Sequence, residues 1–302
     1  MKAAAFSEFG GPEVLRVMEV ETPEAGEGQV RVRVKAAGVQ PFDVAVRQGW
    51  TPAGVTGDLP RIPGNEFSGV VDQVGAGVEG LLPGDEVLGF TLLNAYAEYV
   101  VVPAENVTAK PANMPWEVAG GFTAGTQTAH IALKQLGVGE GNTVLIHAAA
   151  GSVGTAAVQL ARLWGAEVIG TAREENHDYL RSLGAIPVTY GEGLLEQVRE
   201  LAPGGVDMVL DGAGGAALDV SLRLVKGDRV VTLVEHAKAE ELGVQVTQGV
   251  RLASRLAELA DLYAQGRLTF PVRRAYPLDQ AADAHREVET GHGRGKVVLA
   301  VG

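Results

Sequence analysis

Apolar and charged residues alternate most regularly at 30–34, V-R-V-R-V, which predicts a strand with one face in the core and one in water. Residues 69–74 and 97–102 read as further strands. Turn signals crowd between them: Pro60, Pro63-Gly64, Gly75-Ala76-Gly77 and Pro83-Gly84-Asp85. Many short strands separated this way predict a β-rich, barrel-like domain over 1–105. After about residue 115 the rhythm changes. Residues 143–147 form a short apolar strand, 151–164 have helical periodicity, 167–170 form a second strand, and a helix runs on through Leu183. Strands at 208–210 and 229–234 follow. Strands alternating with helices predict a parallel sheet covered on both faces, a doubly wound α/β domain. Leu252, Leu256, Leu259 and Tyr263 share one face of a long helix, and 296–301 read as a final strand.

The sharpest motif follows the strand at 143–147. Ala149-Ala150-Gly151-Ser152-Val153-Gly154 reads A-x-G-x-x-G between a strand and a helix. Gly151 lets backbone approach a diphosphate, Gly154 lets the helix pack on the strand, and the helix N-terminus offers free N–H groups to phosphate. The competing reading is a purely structural βαβ turn. About 20 residues past the glycines, an NAD site carries an acid for the ribose 2′-hydroxyl. Thr171 stands there instead, followed by Arg173. A guanidinium suits a 2′-phosphate, so Arg173 points to NADPH. The alternative is a solvated residue at a helix start, neutralised by Glu174 and Glu175.

Composition narrows the picture. A chain of 302 residues suggests two domains, and 46% hydrophobic with 21% charged residues is enough for real cores. A net charge of −12 opposes binding to nucleic acid or anionic lipid. The absence of cysteine removes disulfides, thiolate zinc sites, iron–sulfur clusters and cysteine nucleophiles. The six histidines, at 130, 147, 177, 236, 285 and 292, lack ligand spacing. His147, on an apolar strand, reads as a satisfied core residue. With no signal-peptide run and no long apolar stretch, a cytoplasmic protein without a membrane span is expected.

Several words in order then carry a family likeness: A-A-G-V-Q-P-F-D at 36–43 with Arg47 and Gly49; P-R-I-P-G-N-E-F-S-G-V-V at 60–71; G-D-E-V at 84–87; A-Y-A-E-Y at 95–99; Thr128-Ala129; D-G-A-G-G at 211–215; and G-K-V-V-L at 295–299. Together they resemble the quinone oxidoreductase, or zeta-crystallin, branch of the medium-chain dehydrogenases/reductases, nearly end to end. The resemblance implies a GroES-like β-barrel catalytic domain from 1–105 and 268–302, a Rossmann NADPH-binding domain over 106–267, an active cleft between them, and a homodimer. It carries NADPH contacts over to Gly151, Ser152, Val153, Thr171 and Tyr190, with Gln40 at the nicotinamide end. Thr128, Ala149, Gly154, Arg173 and Val234 complete the expected cofactor set. Gln40 replaces the family's usual Asn, Ala45 a frequent Tyr, and Arg173 a Lys. The related zinc enzymes carry Cys near Gln40 and His at Asn65; neither ligand exists here, nor does the four-cysteine lobe, so no metal is expected.

Without a Lewis acid, the resemblance implies hydride transfer from NADPH to an activated acceptor, a quinone or enone. Gln40 and Asn65 are the expected polar groups near the reacting face. Tyr96 is the expected proton donor, with barrel packing as its competing reading. Loops at about 45–60 and 235–250 are expected to contact the substrate. Two rival readings stand beside this one: a 2-alkenal or enoyl reductase of the same fold, and a non-catalytic, crystallin-like NADPH-binding protein.

Overall fold

The computed structural model describes residues 1–56 and 59–302. The chain divides into two compact units, Met1–Ala124 with Arg251–Gly302, and Gly125–Val250.

The first unit is organised by its longest strand, Gln29–Val39. Val30, Val32 and Val34 are buried while Arg33 is exposed, as the alternation predicts. Beyond Lys35 the strand turns apolar on both faces, and Ala36, Ala37 and Val39 are all buried. This stretch is the middle of a seven-stranded sheet. It pairs antiparallel with Lys296–Ala300 on one side and Glu66–Val74 on the other, while its first residues pair with Tyr99–Pro103. Glu86–Phe90 and Val107–Ala109 extend the sheet at one edge, and Val272–Pro277 at the other. The core is built on Val30, Val32, Phe67, Val71, Val87, Tyr96 and Leu299. Burying each of the larger side chains contributes about 1.5–3 kcal/mol.

The second unit is a six-stranded, wholly parallel sheet. Its spatial order is Ile186–Thr189, Glu167–Ala172, Thr143–Ile146, Met208–Asp211, Val230–Thr232, Gln245–Val246. In chain order this is 3-2-1-4-5-6, the doubly wound arrangement whose ligand crevice lies at the carboxyl ends of strands 1 and 4.

The expected domain limits, 105/106 and 267/268, differ from the observed division at 124/125 and 250/251. The first turns of the helix Trp116–Leu136 bind the barrel: Ser68 Oγ donates to the Trp116 carbonyl at 2.8 Å. The helix Ala253–Ala264 likewise belongs to the first unit, where Phe122 meets Tyr263 and Phe270 edge-on. The apolar face of a helix carries no sequence mark of the sheet it will cover. The expected substrate loop at 235–250 is also partly regular structure. It holds the helix Ala239–Leu242 and the edge strand Gln245–Val246. Within the loop at 45–60, Gly57 and Asp58 lie outside the described residues. Among the described residues, no helix is long and apolar enough to cross a membrane.

Candidate functional site

The glycine turn sits at the carboxyl end of Thr143–Ile146, at the switch point of the second unit's sheet. The chain bends through Ala148, whose φ of 54° lies in the left-handed region, and Gly151 then caps the helix Ser152–Leu163 without a side-chain hydrogen bond. The N–H groups of the helix's first turn have no partner within the helix and carry the positive end of its dipole. Gly154 is required by packing: a Cβ there would lie 2.6 Å from Ala149 Cα. The bend is tied down from beneath. Ala149 N–H donates to the Thr171 carbonyl at 3.0 Å, and Ala148 N–H to Thr171 Oγ at 3.2 Å.

These bonds revise two expected contacts. Thr171 is buried, with its hydroxyl spent on the bend and on His147, and Ala149 is wholly buried. Both shape the bend and leave Gly151, Ser152 and Val153 as its accessible part. His147 bonds Thr171 Oγ at 3.2 Å and Ser221 Oγ at 3.0 Å, and burial holds its pKa down at about 4. It is a satisfied, neutral core histidine.

At the tip of the neighbouring strand, Arg173 Nε donates to Tyr190 Oη at 3.0 Å. Two expected cofactor residues, 17 positions apart, are thus brought together on exposed surface. The hydrogen bond to Tyr190 raises the guanidinium's pKa further. Among the described residues, neither Glu174 nor Glu175 forms an ion pair with Arg173. Val234 is exposed just beyond Val230–Thr232, where Thr232 Oγ donates to Asp211 Oδ2 at 2.8 Å. Thr128 is half-buried on its helix, and among the described residues no hydrogen bond ties it to the bend.

The first unit holds a different kind of centre. Gln40 precedes the helix Pro41–Arg47, its N–H donating to Asp43 Oδ2 at 3.0 Å. Its side-chain Nε2 donates to Asn65 Oδ1, so these two expected residues do meet. Behind them lies a pair to which the sequence reading gave no role: Lys296 Nζ stands 2.6 Å from Glu66 Oε1 with both side chains buried. Lys296 also donates to Gln40 Oε1 at 3.0 Å, and Glu66 Oε2 accepts the Ala124 N–H at 2.6 Å. Arg251 donates to the Asn65 carbonyl at 3.0 Å and to its Oδ1 at 3.3 Å. Burial lowers the Arg251 pKa, and the charges of Glu66 and Asp43 oppose that shift.

Tyr96, the expected proton donor, does not join this group. It is fully buried in the barrel core, and its Oη donates to Asp43 Oδ2 at 3.1 Å. Burial and then the Asp43 charge push its pKa well up. A sealed phenol whose proton is committed to a buried carboxyl is a packing residue, which is the competing reading of the sequence. Asp43 itself is raised to about 7, chiefly by burial, with Lys296 acting against the shift. Lys296 and Glu66 stood in plain view within G-K-V-V-L and P-G-N-E, but a pair 230 positions apart leaves no local signal. Arg251, beside no motif, left none at all.

Two family models match the chain: an alcohol dehydrogenase GroES-like domain over residues 26–112 and a zinc-binding dehydrogenase over 183–299. The NADPH-dependent alkenal/one oxidoreductase of Arabidopsis thaliana chloroplasts is 32% identical, the alignment covering 99% of this chain and 79% of that protein. Among solved structures, an NAD-dependent alcohol dehydrogenase superposes with a TM-score of 0.88 at 33% identity, covering 100% of both chains. The Escherichia coli quinone oxidoreductase complexed with NADPH gives 0.85 at 26% identity, again over 100% of both.

One family model's description implies zinc, and the donor set can be tested against it. Zinc takes thiolate, imidazole and carboxylate ligands. The first unit's polar centre instead offers two amides and a carboxylate already engaged by an ammonium. Among the described residues, no group of three or more His, Cys, Asp or Glu side chains is placed to hold a metal. These residues do not fit zinc. The bend at 148–154 does fit a dinucleotide diphosphate, because it leaves N–H donors open and packs its helix through a glycine.

Proposed function

The chain belongs to the medium-chain dehydrogenase/reductase superfamily and is an oxidoreductase related to quinone and alkenal reductases, and from that premise we propose that it reduces quinones or similarly activated, carbonyl-conjugated acceptors with NADPH. The observation that carries this reading is the first unit's polar centre, where amides and an ion pair stand at the positions for which the resemblance gives the zinc enzymes metal ligands. An alcohol gives up hydride only as its proton is taken, by a general base or with its oxygen held by a Lewis acid. A quinone or enone is already electrophilic, so orientation and hydrogen-bond donors suffice.

When bound, the nicotinamide nucleotide supplies the hydride. The protein's part is to hold the diphosphate on the N–H groups of Ser152 and Val153, against the bare backbone of Gly151, and to hold the acceptor with Gln40 and Asn65. Arg173, supported by Tyr190, is the proposed partner of the 2′-phosphate. A 2-alkenal or enone is the second reading of the acceptor, supported by the 32% identity to the Arabidopsis enzyme.

Steady-state assays with quinones, alkenals and alcohols, each with NADPH or NADH (the oxidised forms for alcohols), test the proposal. NADPH oxidation by 1,4-benzoquinone or 9,10-phenanthrenequinone is expected. Tight NADPH binding without turnover of any acceptor would leave a binding protein instead. For the cofactor, Arg173→Ala is expected to weaken NADPH binding about 10-fold and leave NADH unchanged, since it removes a charge-assisted pair with the 2′-phosphate. An NADPH preference that survives the substitution refutes the 2′-phosphate role.

A further inference from the structure

We infer that Lys296 is a positioning residue that, anchored by Glu66, locks the Gln40 and Asn65 amides with their oxygens turned inward and their N–H donors left over, making this centre a receptor for a carbonyl oxygen. The inference rests on the proposed reductase reading and names the part of the acceptor that the site grips.

The orientation of an amide is set by its neighbours' hydrogen-bonding capacity. Lys296 has protons and no lone pair to offer, so the Gln40 atom facing it at 3.0 Å must be the oxygen. That turns the Gln40 nitrogen toward Asn65, which must answer with its own oxygen. Arg251 imposes the same choice from the other end, because a guanidinium is also donor-only and bonds Asn65 Oδ1 at 3.3 Å. Two cations at opposite ends of the chain of amides therefore agree. Asn65 Oδ1 accepts two hydrogen bonds and Gln40 Oε1 is turned onto the ammonium, which leaves the Asn65 Nδ2 group and the second Gln40 Nε2 proton as donors without a partner among the described residues. Asn65 Nδ2 donates to no acceptor among the described residues and is not one of the sealed polar atoms.

The ion pair behind the amides is built in. A Cβ on Gly38 would lie 2.6 Å from Glu66 Cδ, so the strand is bare of side chain where the carboxylate passes. Ala124 N–H holds the second carboxylate oxygen. The pair fixes the ammonium, and the ammonium fixes the amide.

A centre that presents N–H donors suits one side of the redox chemistry. When hydride adds to the β-carbon of an enone or to a quinone, the displaced π pair moves onto the carbonyl oxygen. The N–H donors stabilise that developing oxyanion, which then takes a proton from water. The nucleotide is oxidised by two electrons, and the acceptor gains one hydride and one proton. The reverse demand, accepting the proton of an alcohol, would fall on a neutral amide oxygen that already faces an ammonium, which is a poor base.

The test uses the full chain as Lys296→Arg, Lys296→Met and the double variant Glu66→Gln/Lys296→Met, which removes both charges and leaves neither buried alone. Four readouts are taken: thermal unfolding, NADPH binding by fluorescence, kinetics with 9,10-phenanthrenequinone and an enone, and the side-chain amide signals of Gln40 and Asn65 by NMR. Lys296→Arg, which keeps a donor, is expected to stay within about 3-fold of wild type. The double variant is expected to fold and bind NADPH as wild type does. Its kcat should fall about 100-fold with KM little changed, the scale of a misplaced oxyanion donor. Its Gln40 amide signal should lose its slow exchange. A folded double variant with wild-type kcat, or one with an unmoved Gln40 amide, overturns the inference, as does steady oxidation of alcohols by the wild type. If the wild type reduces no acceptor at all, the reductase reading fails, and the NMR signals alone still decide whether Lys296 orders the amides.

Discussion

The bend of the second unit and the polar centre of the first are made of opposite materials. The bend is backbone: open N–H groups, a left-handed Ala148, and a glycine where a side chain would strike Ala149. It spans seven consecutive residues and carries no formal charge. The polar centre is side chain: Gln40, Asn65, Glu66, Arg251 and Lys296 arrive from widely separated parts of the chain and bring buried charge with them. A backbone site is broken by adding atoms. A buried charge site is broken by taking one partner away.

That contrast sets the two largest expected effects. Glu66→Ala leaves the Lys296 ammonium buried without a counter-charge, and breaking such a pair costs about 3–5 kcal/mol. Denaturant unfolding should show the loss, and the double variant Glu66→Gln/Lys296→Met should recover most of it. An unchanged midpoint for Glu66→Ala would mean that the pair is not sealed from water. In the second unit, Gly154→Val should push the helix off the bend and weaken NADPH binding by about 100-fold, or about 2.7 kcal/mol. Titration by nucleotide fluorescence checks it. Full affinity in a folded Gly154→Val would show that the diphosphate does not use this helix.

The same contrast explains what the sequence made legible. The bend could be read because its requirements are local: a strand, a glycine at the packing position and a helix stand side by side in the chain. The long strand at 29–39 was equally plain, its V-R-V-R-V segment having one wet face. Gln40 and Asn65 emerged through the family likeness and do meet. Tyr96 was drawn into the site for its chemistry, yet its neighbours Asp43 and His285 are fixed by barrel packing, which no short window reveals. Lys296 and Glu66 become a pair only when Lys296–Ala300 takes its place beside Gln29–Val39 and Glu66–Val74 on that strand's other side. Information of that kind lies in the sheet order.

Acidification gives the smallest effect on the whole chain and the sharpest comparison of its halves. His147, in the second unit, has its pKa lowered from 6.5 to about 4, first by burial. A depressed histidine means that the unfolded chain binds the proton first, so its stabilisation is present above pH 6.5 and is lost as pH falls toward 4. In the first unit His285 is lowered to about 3, by burial and then by Arg47, and acts in the same direction. There, however, Asp43 is raised from 3.8 to about 7. The folded state holds its proton more tightly, so its contribution is full below about pH 4 and is lost as pH rises toward 7. Between pH 4 and 6.5 the two groups of the first unit oppose each other, while His147 in the second unit acts in one direction. Hydrogen-exchange protection, compared at pH 7 and pH 5, is therefore expected to fall in the second unit and to stay nearly level in the first. Asp43→Asn should remove the compensation and make the first unit acid-sensitive as well. Equal losses in both units of the wild type would show that Asp43 is ionised in the fold, and that the charge at the polar centre is balanced differently from the network drawn here.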